Sequence, residues 1–193
     1  RRVDNMAKGL IAAGVEPGDR VAIWAPNCWE WVVAVLGLQS AGAALVPLNT
    51  RYKGLEAADI LARSRARLLL TVEGFLGNDY VSMLDAAGRP DTLDELLAGG
   101  DAVPDAELDA RVAALDGNDV SDVLFTSGTT GAPKGVVQTH AATLRAFLDW
   151  ATLVGLRAED RYLIINPFFH TFGYKAGILA CLMTGATMVP LPV

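Results

Sequence analysis

Short, continuously apolar runs alternate with longer stretches of helical spacing through the front half of this chain. That rhythm limits the fold more than any other feature. Residues 21–25, 44–48 and 67–72 are each long enough for one buried strand and too short for a helix. Residues 3–13 carry apolar side chains at helical spacing and stop at Gly14. A second helix, with Asn27 as its predicted cap, runs through residues 31–41 to Gly42, and a third covers residues 55–64. Strands that are apolar on both sides need cover on both faces. The expectation is an α/β fold with a mostly parallel sheet and helices on both faces, in one layer of roughly five to eight strands. The second half keeps the beat. A strand ends at Phe125 and others span 135–139, 162–166 and 187–191, with helices over 141–153 and 173–183.

The turn after Phe125 departs from ordinary loop composition. Thr126, Ser127, Gly128, Thr129, Thr130, Gly131, Ala132, Pro133, Lys134 and Gly135 form an unbroken run of small and hydroxyl residues around one lysine. Glycines let backbone N–H groups approach a ligand, and successive N–H groups in such a turn make an anion-binding concavity. Hydroxyls add donors and Lys134 adds a mobile positive charge, so the chemistry is that of a polyphosphate cradle. A Walker loop would place the lysine directly after the second glycine and a hydroxyl after the lysine. Here Lys134 follows Pro133 and precedes Gly135. The plainer alternative is a Gly/Thr-rich hairpin that joins two strands.

This run resembles the signature of the adenylate-forming superfamily, which includes acyl-CoA synthetases, adenylation domains and luciferases. Asn166-Pro167-Phe168-Phe169-His170-Thr171-Phe172-Gly173 resembles the Pro-x-Phe-His element of acyl-CoA synthetases, and residues 14–27 look like the family's first strand. The resemblance covers nearly the whole chain. It implies part of the large N-terminal domain of an AMP-forming acid:CoA ligase, with the C-terminal domain and its catalytic lysine lying outside residues 1–193. In such an enzyme ATP and a carboxylic acid give an acyl-adenylate, and coenzyme A then takes the acyl group and releases AMP. By resemblance, Thr126, Ser127, Gly128, Thr129, Thr130, Gly131 and Lys134 hold the ATP phosphates, and the Thr129 hydroxyl lies nearest Mg²⁺. His170 sits beside the acyl carboxylate and adenylate, and Tyr174 takes the position of an aromatic gate to the acyl tunnel, with ordinary packing as its alternative. The chain looks most like bacterial ligases of fatty-acid and steroid-ring catabolism, including those that activate the indanedione propanoate left by ring degradation. The piece by itself is expected to be inactive. The rival readings are a non-catalytic nucleotide-binding module and a P-loop NTPase.

Composition narrows the partners. With 52% hydrophobic and 20% charged residues the chain is globular, and no apolar run approaches the roughly 20 residues of a membrane span. Net charge is −6, and residues 91–122 hold ten acids against one base, so nucleic acid is a poor partner. That acidic stretch reads as a solvated connector with short helices rather than a docking surface. Residues 89–100 show no β-rich run where the family carries another strand. Cys28 and Cys181 stand alone in apolar surroundings, which fits a reducing cytoplasm. A homodimer is a further candidate assembly. Of the two histidines, His140 reads as a helix-start residue with a capping or structural role. Lys175, on an otherwise apolar helix face, reads as a snorkelling lysine. Trp24, Trp29 and Trp31 read as core.

Overall fold

In the computed structural model the described residues are 1–72, 74–80, 82–84, 91–92, 102–126 and 133–192. The front half folds as its rhythm requires: α1 (Arg2–Ala12), β1 (Arg20–Trp24), α2 (Trp29–Ser40), β2 (Ala44–Pro47), α3 (Gly54–Ser64) and β3 (Leu68–Thr71). A small hairpin of β4 (Gly74–Phe75) and β5 (Asn78–Asp79) follows, then β6 (Asp91–Thr92) and α4 (Asp105–Ala114). The second half holds β7 (Val120–Thr126), β8 (Lys134–Thr139), α5 (His140–Leu153) and β9 (Arg161–Ile164). Last come a π-helical segment (Phe172–Leu179) continuing into α6 (Ala180–Thr184), and β10 (Thr187–Pro190).

Among the described residues six strands form the main sheet in the order β6-β3-β1-β2-β7-β8, with every neighbouring pair parallel except β7 and β8. Alternation along β1 explains the two cores. Val21 and Ile23 point to one face and join Met6, Leu10, Trp31, Val35 and Leu38 of α1 and α2. Ala22 and Trp24 point to the other and join Ala57 and Ile60 of α3 with Tyr80. Each such large apolar side chain, fully buried, contributes about 1.5–3 kcal/mol of transfer free energy. Trp24 stacks on Tyr80 at 4.2 Å between ring centroids, and its indole N–H donates to the Asn49 carbonyl at 3.0 Å.

Four expectations need correction. The last two strands do not extend the main layer. β9 and β10 form a separate two-stranded parallel sheet, because β8 folds back antiparallel on β7 and takes the place beside it. Asp91 and Thr92 pair in parallel with Leu70 and Thr71, although their stretch has no β-rich pattern. An edge pairing of two residues is made by backbone alone and leaves no apolar signature. α4 does more than connect: Leu108 is buried in the first core, and the Arg111 guanidinium donates to the Val15 and Ala41 carbonyls at 2.7 and 3.3 Å. Trp29 is 46% exposed beneath the Arg2 guanidinium, while Trp24 and Trp31 are fully buried.

Candidate functional site

The glycine/hydroxyl run is borne on the β7–β8 hairpin. The stems pair in register from Val123 with Val137 to Thr126 with Lys134, and that last rung is the mouth of the loop. Ser127, Gly128, Thr129, Thr130 and Gly131 lie outside the described residues. At the mouth, Thr126 and Lys134 are both exposed. Because β7 runs parallel to β2, the mouth opens at the carboxyl ends of the parallel strands, where open α/β sheets bind ligands. Gly135 is required by packing. A Cβ there would stand 3.1 Å from Val123 Cγ1 and 3.3 Å from Phe125 Cζ, so the Phe125 ring rests against bare backbone.

The second motif follows β9 in the same sense, at a strand's carboxyl end. His170 is exposed, and its Nδ1 accepts the Phe172 N–H at 3.3 Å. In the neutral ring this leaves the proton on Nε2. Gly173 is obligatory, since a Cβ would fall 2.1 Å from the Pro167 carbonyl oxygen. The turn is held from outside by Asn27, which is buried. Its Nδ2 donates to the Asn166 carbonyl at 3.0 Å, and its Oδ1 accepts the Phe168 N–H at 2.6 Å. Asn27 therefore does not cap α2, whose cap position is Cys28. It ties the end of the first strand unit to the histidine turn 139 residues later.

Tyr174 lies in the interior with no exposed surface. It sits 5.7 Å from Trp31 between ring centroids, and its hydroxyl accepts from Gln39 Nε2 at 2.8 Å. Burial pushes its phenol well above the ordinary value, with Asp122 adding to the rise. Neighbouring Lys175 does not snorkel. It is fully buried, and its ammonium spends all three protons on Asp122 (2.8 Å to Oδ2), Thr143 Oγ1 (3.1 Å) and Gln138 Oε1. Desolvation pulls the Lys175 pKa below its ordinary value, against the opposing pull of Asp122. Asp122 also accepts the Ser121 hydroxyl at 2.6 Å. One buried ion pair thus binds the segment after His170 to both stems of the loop hairpin and to α5. The sequence hid this pair: Asp122 closes the acidic stretch read as solvated, and Lys175 stood on its apolar helix face with no partner nearby in the chain.

His140 opens α5, but the helix cap is Thr139, whose hydroxyl accepts the Ala142 N–H at 3.4 Å. Partial burial lowers the His140 pKa below 6.5, with Asp119 and Asp122 opposing and Lys175 assisting. The thiols are inert: burial raises Cys28 to about 12 and Cys181 to about 11, so neither is a nucleophile near neutral pH. Among the described residues no group of three or more His, Cys, Asp or Glu could hold a metal, and no helix is long and apolar enough to cross a membrane.

The sequence model of the AMP-binding enzyme family matches residues 1–193. This chain is an AMP-binding family member. It is 54% identical over 198 residues to a (7a-methyl-1,5-dioxo-octahydro-1H-inden-4-yl)propanoyl:CoA ligase of Mycobacterium tuberculosis, covering 95% of this chain and 39% of that protein. It is 46% identical to the ligase of the same description from Rhodococcus jostii, over 100% of this chain and 41% of the relative. The fold superimposes on o-succinylbenzoate CoA synthetase of Bacillus subtilis in complex with its acyl-adenylate intermediate. There the TM-score is 0.84 at 29% identity, over 98% of this chain and 37% of that one. It also superimposes on the inhibitor-bound N-terminal domain of FACL13 from Mycobacterium tuberculosis, with a TM-score of 0.82 at 31% identity, covering 99% and 48%. The AMP-binding chain described here spans about two fifths of the length of these curated relatives.

Proposed function

We propose that this chain is the phosphate-binding part of an AMP-forming carboxylic acid:CoA ligase. The observation that carries the reading is a glycine/hydroxyl hairpin opening at the carboxyl edge of a parallel sheet, joined through one buried ion pair to an exposed histidine turn. Loop donors grip the β- and γ-phosphates of ATP, where fixed N–H and O–H dipoles stabilise the pyrophosphate as it gains charge. Lys134 supplies a mobile cation at the loop exit. His170 directs Nε2–H toward the acyl carboxylate as that group attacks the α-phosphate. The resulting acyl-adenylate is then opened by the coenzyme A thiol, with AMP leaving. Mg²⁺, held in this reading by the phosphates and Thr129, would neutralise phosphate charge.

The acid is proposed to be a bulky alicyclic propanoate, on the strength of the two indane-dione propanoyl:CoA ligases. Two unreactive thiols suit a reducing cytoplasm. The test is acid-dependent ATP–pyrophosphate exchange by the full-length protein across a panel of carboxylic acids, with the bicyclic propanoate among them. Exchange is expected to be fastest with that acid. Thr129→Ala, Gly128→Ala and Gly131→Ala should raise the ATP KM or slow adenylation far more than they lower melting temperature. No exchange with any acid, or three variants that release pyrophosphate like the parent, would refute the reading.

A further inference from the structure

Thr126 and Lys134 close the loop hairpin, and the residue before each of them meets the same distant side chain. The Arg63 guanidinium, at the last turn of α3, donates from Nη2 to the Pro133 carbonyl at 2.6 Å. The same group lies over the Phe125 ring, 5.3 Å from its centroid. Phe125 precedes Thr126 on the β7 stem, and Pro133 is the loop residue that leads into Lys134, the first residue of β8. On its own helix Arg63 is braced by Asp59, whose carboxylate accepts from Nη1 at 3.1 Å. The stack is therefore continuous: Asp59 holds Arg63, Arg63 covers Phe125 and pulls on Pro133, and the Phe125 ring is seated on Gly135.

We propose that Arg63 is a positioning residue for ATP, a clamp across the mouth of the phosphate loop. This rests on the phosphate-loop reading given above. A planar fork does this work better than an ammonium, because one face can lie on an aromatic ring while an edge donates to a carbonyl. Proline suits the other side of the clamp: it offers no N–H and its φ is fixed, which leaves ψ as the one soft backbone torsion that aims its carbonyl. Pinning one stem and the loop exit from a helix fixes the separation of the two ends from which the loop donors reach triphosphate. Arg63 touches neither phosphate nor acid in this role. It acts through the spacing of the stems.

The experiment uses the full-length protein with Arg63→Met, which keeps a stem over Phe125 and removes every donor, and with Arg63→Lys. In acid-dependent ATP–pyrophosphate exchange the ATP KM of Arg63→Met is expected to rise about tenfold, the scale of one lost charge-assisted hydrogen bond. The acid KM should stay within about twofold, and the melting temperature within about 2 °C, as for a part-exposed contact. Arg63→Lys should fall between parent and Arg63→Met, and Asp59→Ala should shift the ATP KM in the same direction by less. An unchanged ATP KM in Arg63→Met overturns the clamp, and so does a rise matched by the acid KM, which would mark a general distortion. Calorimetric titration of ATP into parent and Arg63→Met separates this inference from its premise. If the parent binds ATP without any acid-dependent exchange, the ligase reading fails, and about tenfold weaker ATP binding by Arg63→Met still upholds the clamp. Equal affinities sink it, and a parent that takes up no ATP sinks both.

Discussion

Replacing Lys175 with methionine removes one half of a charge pair that has no contact with solvent. Lys175 and Asp122 are both 0% exposed, and the ammonium lies 2.8 Å from Oδ2. At an effective dielectric of 20 the attraction at that distance is about 6 kcal/mol, and this together with the hydrogen bonds to Gln138, Thr143 and Ser121 offsets the several kcal/mol that desolvating each ion costs. The intact pair is thus close to neutral in net energy, while a stranded Asp122 carries its desolvation cost uncompensated. Gln138 Oε1 and the Thr143 hydroxyl lose the ammonium donor as well and keep only long hydroxyl contacts of 3.5 and 3.4 Å. Lys175→Met is expected to destabilise the fold by about 3–5 kcal/mol. The double variant Asp122→Leu/Lys175→Met should recover most of that loss. The assay is urea unfolding of the intact protein followed by tryptophan fluorescence. Trp31 lies 5.4 Å from Phe168 and 5.7 Å from Tyr174, so it reports on this region directly. A single variant costing under about 1 kcal/mol, or a double variant no better than the single, would refute the argument that uncompensated burial sets the energy.

Asn27→Ala should cost about 2–4 kcal/mol, because it strands the buried Phe168 N–H and leaves the Asn166 carbonyl unpaired. It should also slow adenylation through the freed His170 turn, which stopped-flow pyrophosphate release by the full-length protein can check. For His140 the sign runs toward acid lability. Its folded pKa is depressed below 6.5, so the unfolded chain binds the proton more readily, and stability falls as pH drops from 6.5 through the folded value. His140→Gln should flatten that part of the stability–pH curve measured by thermal unfolding, and an unchanged slope would contradict the burial argument.

The alternation of apolar runs with helical spacing was enough to place α1, β1, α2, β2, α3 and β3, because both signals are local and periodic. The glycine/hydroxyl run and the Pro-Phe-Phe-His run were likewise legible as motifs, since each is a contiguous stretch that needs no distant neighbour to be read. What the sequence could not carry was pairing. Asn27 read as a helix cap, because the carbonyl and N–H that it joins lie 139 and 141 residues away. Lys175 read as a snorkelling side chain, because only the approach of β7 and β8 to the π-helical segment supplies Asp122 and Gln138 as partners. Arg63 offered no signal in its helix at all; its meaning comes from a carbonyl 70 residues on. The single layer expected from the sequence failed for the same reason, since among the described residues β9 and β10 pair with each other apart from the main sheet. The chain alone determined its family motifs and most elements of the fold, since those depend on residue type and period. The tertiary structure decided which charges are buried together and which turns are braced, since those depend on distances that close only when the sheet and its helices have packed.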